Sequence, residues 1–190
     1  MSASVLFMSM SLDGFIADPA DRLGGSDGNR LHHWLLTDDG EGFRSDEPAA
    51  GLLAEYTASG AIVAGRRTVE IVDHWGGDHH GMPIFVPSHR PPGPSVADMP
   101  LVTYVSDGIA SAMAQAKAAA GDRDVLVHGG YTARRALEAG VLDELGILQI
   151  PVLLGRGRRL FDELPAEIEL DIVRVVDTPE ATHLRYRVRR

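Results

Sequence analysis

Three segments of the sequence place anion-binding residue types directly after a short apolar run. They read IVAGRRTVE from residue 62, IFVPSHRPP from residue 84 and DVLVHGGYTAR from residue 124. Guanidinium groups, hydroxyl groups and the free backbone N–H groups at the start of a helix are donors that bind phosphate in proteins. The candidate anion-binding residues are Gly65, Arg66, Arg67, Thr68, Ser88, His89, Arg90, Gly129 and Gly130.

The glycine pair at positions 129 and 130 allows two interpretations. Without Cβ atoms the backbone can lie against a ligand, while the N–H groups of a following helix point at it. The pair can equally make a tight corner between a strand and a helix. A dinucleotide fold of the Rossmann type is disfavoured, because GGYTAR is not the G-x-G-x-x-G pattern and only residues 131–190 follow the pair.

The elements around these segments predict an α/β fold in a single domain over residues 1–190. Strand-like runs alternate with helical patterns, which predicts a mixed, mainly parallel β-sheet flanked by helices on both faces, and the last two runs read as antiparallel edge strands. The predicted strands are 4–11, 15–17, 61–65, 83–88, 101–106, 124–130, 144–154, 167–179 and 182–190. The predicted helices are 48–59, 66–75, 107–121 and 132–140, with Ser106 or Asp107 as the cap of the third, and residues 30–37 are predicted to be short helical or irregular structure.

This order of elements brings the three segments together. The carboxyl ends of parallel strands lie at one edge of a sheet, so the residues that follow them converge there. One ligand with several phosphates explains the three anion-binding groups more simply than three separate sites. The sequence therefore predicts a ligand with several phosphates at this edge.

Composition narrows the class of partner. The 190 residues carry 18 Lys and Arg against 27 Asp and Glu, a net charge of -9, which disfavours a nucleic-acid partner. The absence of cysteine excludes disulfides, thiolate metal sites and a cysteine nucleophile. The N-terminus lacks a signal-peptide pattern, and no segment is apolar over the roughly 20 residues of a membrane span. We expect a cytoplasmic protein with no membrane and no nucleic-acid partner.

Five motifs resemble, in order and spacing, those of the dihydrofolate-reductase-like proteins. They are SMSLDGFIA, VAGRRTVE, PIFVPSHRPP, VLVHGGYTARRALEAGVLDEL and IPVLLGRGRRLF. The resemblance is closest to the reductase domain of the bifunctional riboflavin-biosynthesis deaminase-reductases, expected here as a free-standing protein because no zinc-deaminase motif precedes the domain. It implies a homodimer that uses NADPH to reduce a small heterocycle related to pyrimidines, pterins or flavins. The implied reaction is like that of 5-amino-6-(5-phosphoribosylamino)uracil reductase or of dihydrofolate reductase.

The same resemblance implies cofactor roles for the candidate anion-binding residues and adds Tyr131 and Thr132 to them. Residues 65–68 would hold the pyrophosphate and the adenosine 2′-phosphate, residues 88–90 the 2′-phosphate and adenine, and residues 129–132 the pyrophosphate and the nicotinamide ribose. In dihydrofolate reductases the matching Gly–Gly bond is cis, so a cis bond is predicted here, a form that costs roughly 2.5–4 kcal/mol. A flavin or deazaflavin whose phosphate meets the same arginines stays an open alternative.

The resemblance also implies a substrate pocket beside Leu12, Asp13 and Gly14. The segment DRLGGSDGNRLHHWLL adds His32 and Trp34, which can stack on a ring or hydrogen-bond to it. Asp13 is the candidate catalytic residue, as a substrate contact or a proton relay. The alternatives are that Asp13 merely forms a turn before glycine and that Trp34 merely pins its loop to the core.

Three further features bear on function. Helix 48–59 offers only Glu55 where dihydrofolate reductases keep their pterin-binding acid, so a cofactor-binding protein without catalysis is the rival interpretation. The segment DHWGGDHHG holds five potential metal ligands but no known metal-binding spacing, and it is predicted to be a mobile polar loop without a metal. The arginines of GRGRRLF are expected in a structural loop, as further candidates for contact with an anionic substrate or a second subunit.

Overall fold

A computed structural model describes residues 2–22, 29–37, 40 and 42–190 of the chain. Residues 23–28 of the segment that carries His32 and Trp34 therefore lie outside the described part. The backbone divides into two compact units, residues 1–6 with 58–144 and residues 7–57 with 145–190. None of the described helices is both long and apolar enough to cross a membrane.

The predicted fold class is confirmed: the chain forms a mixed, mainly parallel sheet with helices around it and antiparallel strands at its C-terminus. The strands are β1 (Ser4–Ser11), β2 (Phe15–Ala17), β3 (Ala61–Ala64), β4 (Ile84–Pro87), β5 (Val102–Val105), β6 (Val125–His128), β7 (Glu144–Ile150), β8 (Arg158–Arg159), β9 (Leu170–Asp177) and β10 (Thr182–Val188). The helices are α1 (Ala49–Thr57), α2 (Arg66–Ile71), α3 (Ile109–Ala120) and α4 (Gly130–Glu138), with 3-10 turns at Arg30–His32, Asp73–Gly77 and Pro94–Val96. The eight-stranded sheet has the order β5-β4-β3-β6-β1-β7-β10-β9, and β2 pairs separately with β8.

The first unit is built on short parallel strands, of which the central β3 is fully buried. All four residues of β3 are buried, and β3 lies between β4 and β6 in parallel register. Strands buried on both faces read as continuous apolar runs, which is why AIVA and VLVH carry no alternation. Helix α3 packs on β3 and β4 through Ala112, Met113 and Ala116, where small side chains allow close approach.

The second unit has a core between α1 and the C-terminal strands. Leu31, Trp34, Leu52, Leu148 and Ile150 are its central buried side chains. Strands β9 and β10 pair antiparallel, with a bulge opposite Arg185 and Tyr186 that breaks the register. This core positions the loops that follow β1 and β7.

Two local predictions need correction, and one strand pairing was not predicted. The N-cap of α3 is Gly108, at φ 92° and without a side-chain hydrogen bond, and neither Ser106 nor Asp107 takes that place. Of the two C-terminal strands β9 and β10, only β9 lies at an edge of the sheet, because β10 lies between β7 and β9. The pairing of β2 with the two-residue β8 was not predicted, since a two-residue strand leaves no periodicity in the sequence.

Candidate functional site

The carboxyl ends of β3, β4 and β6 form the strand-end site of the first unit. Because β3 pairs in parallel with both neighbours, the chain leaves all three strands at one edge. Gly65 follows β3, Ser88 follows β4 and Gly129 follows β6. The convergence that the sequence predicts is therefore observed, and it brings the starts of α2 and α4 beside the loop that follows β4.

Two glycines of this site each lie against a threonine of the other segment. A Cβ atom on Gly65 would come 2.5 Å from Oγ1 of Thr132, and one on Gly129 would come 2.7 Å from Oγ1 of Thr68. Neither position has room for a side chain, so the sequence needs glycine at both. Thr132 is buried, whereas Gly65 and Thr68 are partly exposed. The two reciprocal contacts fix the first turns of α2 and α4 against the strand ends.

The cis peptide bond predicted between Gly129 and Gly130 is wrong. Among the described residues, Glu47–Pro48 is the one cis bond. Gly129 instead turns the chain with φ 93° and ψ 138°, a conformation that a Cβ atom would disfavour. The N–H group of Ala133 then donates to the carbonyl of Gly129, so α4 begins directly at the corner.

Arg66 braces the loop after β4. Its Nη1 donates to the carbonyls of Arg90 and Pro91 at 3.1 and 2.8 Å, and its Nε donates to Glu70 at 2.6 Å. The hydroxyl of Ser88 donates to the carbonyl of Arg90 in the same loop. The guanidinium predicted to bind phosphate therefore also holds the backbone of the neighbouring strand end.

The remaining predicted cofactor residues lie at the surface of the same site. Arg67, His89 and Arg90 are exposed. Tyr131 is 70% exposed on the first turn of α4, with the Arg134 guanidinium 5.4 Å from its ring centre. These positions are accessible to a ligand, and their individual roles stay predictions.

A left-handed turn at Asp73–Gly77 adds residues that the sequence did not single out for this site. All five residues have positive φ, although three of them are not glycine, and such conformations are uncommon for bulky residues. Trp75 stacks on His79 with ring centres 4.5 Å apart and lies 6.1 Å from the ring of His128, which precedes Gly129. The only sequence signal for this turn is the glycine pair that ends it.

The same turn differs from the polar loop that was predicted. His74 is buried, and its Nε2 lies 2.9 Å from the hydroxyl of Tyr104 on β5. Burial lowers the pKa of His79 to about 4, with a smaller effect of His80 in the same direction. Across the described residues, no three His, Cys, Asp or Glu side chains are grouped as metal ligands.

In the second unit, the carboxylate of Asp13 joins two loops. Its Oδ1 accepts hydrogen bonds from the Ser11 hydroxyl at 2.6 Å and from the Leu154 N–H at 3.1 Å, and its Oδ2 accepts one from the Gly155 N–H at 2.7 Å. The bond from Ser11, followed by those from the backbone, lowers the pKa of Asp13. An ionised carboxylate that already accepts three bonds is a poor proton donor, so these contacts favour the turn-forming alternative.

Trp34 makes the contacts of a core side chain. It is 3% exposed, and its Nε1 donates to the Ser9 hydroxyl at 3.0 Å. Its ring meets that of His183 edge-on at 5.2 Å. Of the two interpretations of Trp34, the structure favours the one that pins the loop to the core. Burial also lowers the pKa of His32 to about 4, so this imidazole is neutral at pH 7.

The other predicted pocket residues lie in the turn after β1. Leu12 is 59% exposed, and its N–H donates to the carbonyl of Val152. Gly14 lies beneath the guanidinium of Arg159, which stands 4.7 Å from the ring centre of Phe15. Arg158 forms an ion pair with Asp21.

Glu55, the one acid of α1, is bound to a neighbouring strand. Its two carboxylate oxygens accept from Nη1 and Nη2 of Arg174 on β9 at 2.6 and 2.7 Å. This bidentate bond, with the charge of Arg174, lowers the pKa of Glu55. The carboxylate is ionised and occupied, so it does not supply the acid that dihydrofolate reductases place in this helix.

Comparisons with known proteins agree with this fold. The family model of the RibD C-terminal domain matches residues 4–184. A search of curated protein sequences gave no match. Among solved structures, a candidate riboflavin biosynthesis protein from Shewanella sp. PV-4 is 26% identical, with a TM-score of 0.77 and 99% of each chain covered.

Two more distant structures share the fold. A pyrimidine reductase-like protein from Corynebacterium diphtheriae is 14% identical, with a TM-score of 0.63 over 100% of this chain and 92% of that one. A diaminohydroxyphosphoribosylaminopyrimidine deaminase/5-amino-6-(5-phosphoribosylamino)uracil reductase from Thermotoga maritima is 13% identical, with a TM-score of 0.61. This chain, 98% of which is covered, spans 56% of the Thermotoga protein.

Proposed function

The chain belongs to the RibD C-terminal domain family, and from this premise we propose that it is an NADPH-dependent reductase. The reaction would transfer hydride from the nicotinamide to a small heterocycle related to pyrimidines, pterins or flavins. Two of the structures similar to this chain carry the word reductase in their names, one for a pyrimidine and one for a phosphoribosylamino-uracil. The cofactor would supply the hydride, while the protein would bind and orient both molecules.

One observation carries the proposal: three parallel strands deliver their Gly-, Arg- and hydroxyl-containing ends to one edge of the sheet. Gly65 and Gly129 let the starts of α2 and α4 lie close to each other there, and α4 begins directly after Gly129. A pyrophosphate suits that backbone because N–H donors and the positive end of the helix dipole favour anions. The exposed Arg67 and Arg90 would offer charge for a 2′-phosphate, which distinguishes NADPH from NADH.

A calorimetric titration with NADPH, NADH and a reduced flavin tests the cofactor. Arg66→Ala removes both the charge and the brace on the loop after β4, and we expect at least about a tenfold loss of NADPH affinity. Arg135→Ala is the matched control, because Arg135 lies on the exposed side of α4 and pairs with Glu138. Binding of a flavin without binding of NADPH would replace the cofactor and discard this reaction.

A turnover assay tests the substrate class. The loss of reduced-nicotinamide absorbance is followed with 5-amino-6-(5-phosphoribosylamino)uracil, dihydrofolate and a panel of pyrimidines, pterins and flavins. Turnover with one compound class and not the others would identify the substrate. Tight NADPH binding with no turnover of any of them would contradict the proposed reaction.

The contacts of Asp13 and Glu55 favour a second candidate function, a cofactor-binding protein without catalysis. Both carboxylates are ionised and hydrogen-bonded within the protein. Hydride transfer would then need a proton from water or from the substrate itself. The same two assays separate the candidates, since this protein would bind NADPH without consuming it.

A homodimer is part of the proposal and rests on the resemblance to the family. Sedimentation velocity at several protein concentrations would measure it directly. A single species with the mass of one chain at every concentration would exclude the dimer.

A further inference from the structure

The left-handed turn at Asp73–Gly77 is a strained segment of the first unit. Its three non-glycine residues, Asp73, His74 and Trp75, have φ angles of 45°, 53° and 53°. Residues with a Cβ atom rarely adopt this conformation, and each one that does so costs free energy. A folded protein keeps such a conformation where its surroundings impose it, and such segments cluster at ligand-binding sites. The contacts of His74 and Trp75 show what fixes this turn and what it presents.

His74 fixes the turn to the sheet. It is 4% exposed, and its Nε2 lies 2.9 Å from the hydroxyl of Tyr104 on β5. The ring centre of Tyr104 lies 5.7 Å from the guanidinium carbon of Arg66, the first residue of α2. The turn is therefore tied through Tyr104 to the strand-end site.

Trp75 presents a partly exposed aromatic surface at the same site. Its indole stacks on the imidazole of His79, with ring centres 4.5 Å apart and an angle of 29° between the planes. The ring of His128 lies 6.1 Å from the indole, and His128 ends β6 directly before Gly129. We call the rings of Trp75, His79 and His128 the Trp75 platform. It lies at the carboxyl end of β6, beside the corner where α4 begins.

The platform favours a flat, uncharged ring as its ligand. The pKa of His79 is lowered to about 4, chiefly by burial, so the imidazole against the indole is neutral at pH 7. A flat ring gains from stacking on such a surface beyond the area that it buries, and a puckered or aliphatic molecule does not. A cation would be repelled by the exposed guanidinium groups of Arg67 and Arg90 at the same site.

We propose that the Trp75 platform binds the flat heterocycle of the substrate by stacking, which makes Trp75 a residue that determines substrate specificity. This inference rests on the proposed reductase function, in which residues 129–132 lie along the nicotinamide ribose. A ring on the platform would lie next to His128, and so next to the nicotinamide end of the cofactor, from which the hydride leaves.

The adenine of the cofactor is the other flat ring that the proposed function supplies, and the order of the strands disfavours it. Adenine is expected at residues 88–90, which follow β4, whereas the platform lies beside β6. Strand β3 lies between β4 and β6, so the two positions are about two strand spacings, or roughly 10 Å, apart. The platform therefore suits the substrate ring better than the adenine.

The fluorescence of the Trp34→Phe protein tests the stacking, because Trp75 is then the one tryptophan of the chain. Uracil is the probe, and 5,6-dihydrouracil is its puckered counterpart of nearly the same size. Uracil does not absorb where tryptophan emits, so quenching of Trp75 requires contact with the ring. We expect uracil to quench this emission with and without NADP⁺, and dihydrouracil to bind at least about tenfold more weakly.

Calorimetry on variants of the otherwise unchanged chain measures the contribution of the indole. Trp75→Leu should weaken uracil at least about tenfold and dihydrouracil less than about twofold, so that the preference for the planar ring disappears. Trp75→Phe keeps an aromatic ring and should keep most of that preference. Phe43→Leu, at an exposed aromatic side chain of the second unit, is the matched control and should change neither affinity. A purely structural role of Trp75 would instead weaken both ligands alike.

Equal affinities of uracil and dihydrouracil for the wild-type chain would overturn the proposal. So would an emission of Trp75 that uracil leaves unchanged, or a preference for uracil that survives in Trp75→Leu. A failure of the proposed cofactor is a separate result, because the titrations without NADP⁺ report on the platform alone and the NADPH titration of the wild-type chain reports on the cofactor.

Discussion

The strand-end site of the first unit and the turn around Asp13 in the second unit are both rich in glycine and polar side chains, yet they use them in opposite ways. At the strand ends, Gly65 and Gly129 let a threonine of the other segment pack against the backbone, and Arg67 and Tyr131 are exposed. Around Asp13, the carboxylate accepts three hydrogen bonds from the protein itself. The first region leaves Arg67 and Tyr131 at the surface, where a ligand can reach them, whereas the polar contacts of the second hold its loops together.

The difference shows which kind of residue can be assigned a role from sequence. A motif at the carboxyl end of a parallel strand has its place fixed by topology, because such ends share one edge of the sheet. A polar residue in a loop has no such constraint, and its partner is whichever group the tertiary structure brings near. Trp34 illustrates this, since the same side chain could have stacked on a ligand and instead donates to Ser9.

The largest effect is expected from the two tryptophans, which lie in different units. Trp34→Ala should lower the free energy of unfolding by about 3–5 kcal/mol, because it removes a buried ring and leaves Ser9 without its partner. NADPH affinity should change less than about twofold. Chemical denaturation and calorimetry measure the two quantities.

Trp75→Ala is the matched control for Trp34→Ala, since Trp75 is only partly buried beside His79 and His128. It should lower the free energy of unfolding less than Trp34→Ala does, and it should lower the affinity for NADPH more. If Trp34→Ala does not fold, Trp34→Phe keeps most of the ring and loses one hydrogen bond, at about 1 kcal/mol. An equal loss of NADPH affinity in both tryptophan variants would contradict the assignment of cofactor binding to the first unit alone.

Gly129→Ala should act on both stability and binding. The positive φ and the approach to Thr68 should together lower the free energy of unfolding by about 2–3 kcal/mol. NADPH binding should fall at least about tenfold, because the methyl group would displace Thr68 on the first turn of α2, where a cofactor contact is proposed.

Gly108→Ala is the control for backbone strain alone. Its φ of 92° matches the 93° of Gly129, but a Cβ atom there meets nothing within 4 Å. It should destabilise by about 1–2 kcal/mol and leave NADPH binding unchanged. Adding Thr68→Ala to Gly129→Ala should recover part of the lost free energy of unfolding, because the smaller side chain no longer meets the new methyl group. If none of it is recovered, the steric explanation is wrong.

Arg66→Lys separates charge from bracing at the strand ends. Lysine keeps the positive charge but cannot donate to the carbonyls of Arg90 and Pro91 in the same fork. We expect about a fivefold loss of NADPH affinity, against less than about twofold for Arg135→Lys on the exposed face of α4. Full affinity in Arg66→Lys would mean that charge alone matters there.

The smallest effect is a pH dependence from Asp13. Its pKa is lower in the folded protein than in the unfolded chain, so it stabilises the fold above pH 4 and this contribution is lost as the pH falls below about 4. Denaturation midpoints of wild type and Asp13→Asn should therefore converge on acidification. Asp122→Asn, at an exposed site, is the control. If the difference between the denaturation midpoints of wild type and Asp13→Asn stays constant down to pH 3, the ionised carboxylate of Asp13 does not stabilise the fold as expected.

The fold and the convergence of the strand ends were predicted correctly from the sequence. The errors all concern local backbone conformation, which hydrophobic periodicity does not report. The cap of α3 was assigned to Ser106 or Asp107 because their side chains suit it, but the backbone takes a positive φ at Gly108 that only glycine adopts readily. The cis Gly129–Gly130 bond came from resemblance, and a trans bond with positive φ makes the same corner. The left-handed turn at Asp73–Gly77 was missed, since such conformations carry no periodic signal.

The sequence by itself determined the alternation of strands and helices, the mainly parallel sheet and the positions of the three strand ends, because hydrophobic periodicity and short connections restrict topology strongly. The tertiary structure decided the partner of each polar group: Asp13 with the loop at Leu154 and Gly155, Glu55 with Arg174, and Arg66 with the loop after β4. These bonds join residues 24 to 142 positions apart. Hydrogen bonds act over about 3 Å, so which distant residues pair depends on packing details that local sequence does not encode.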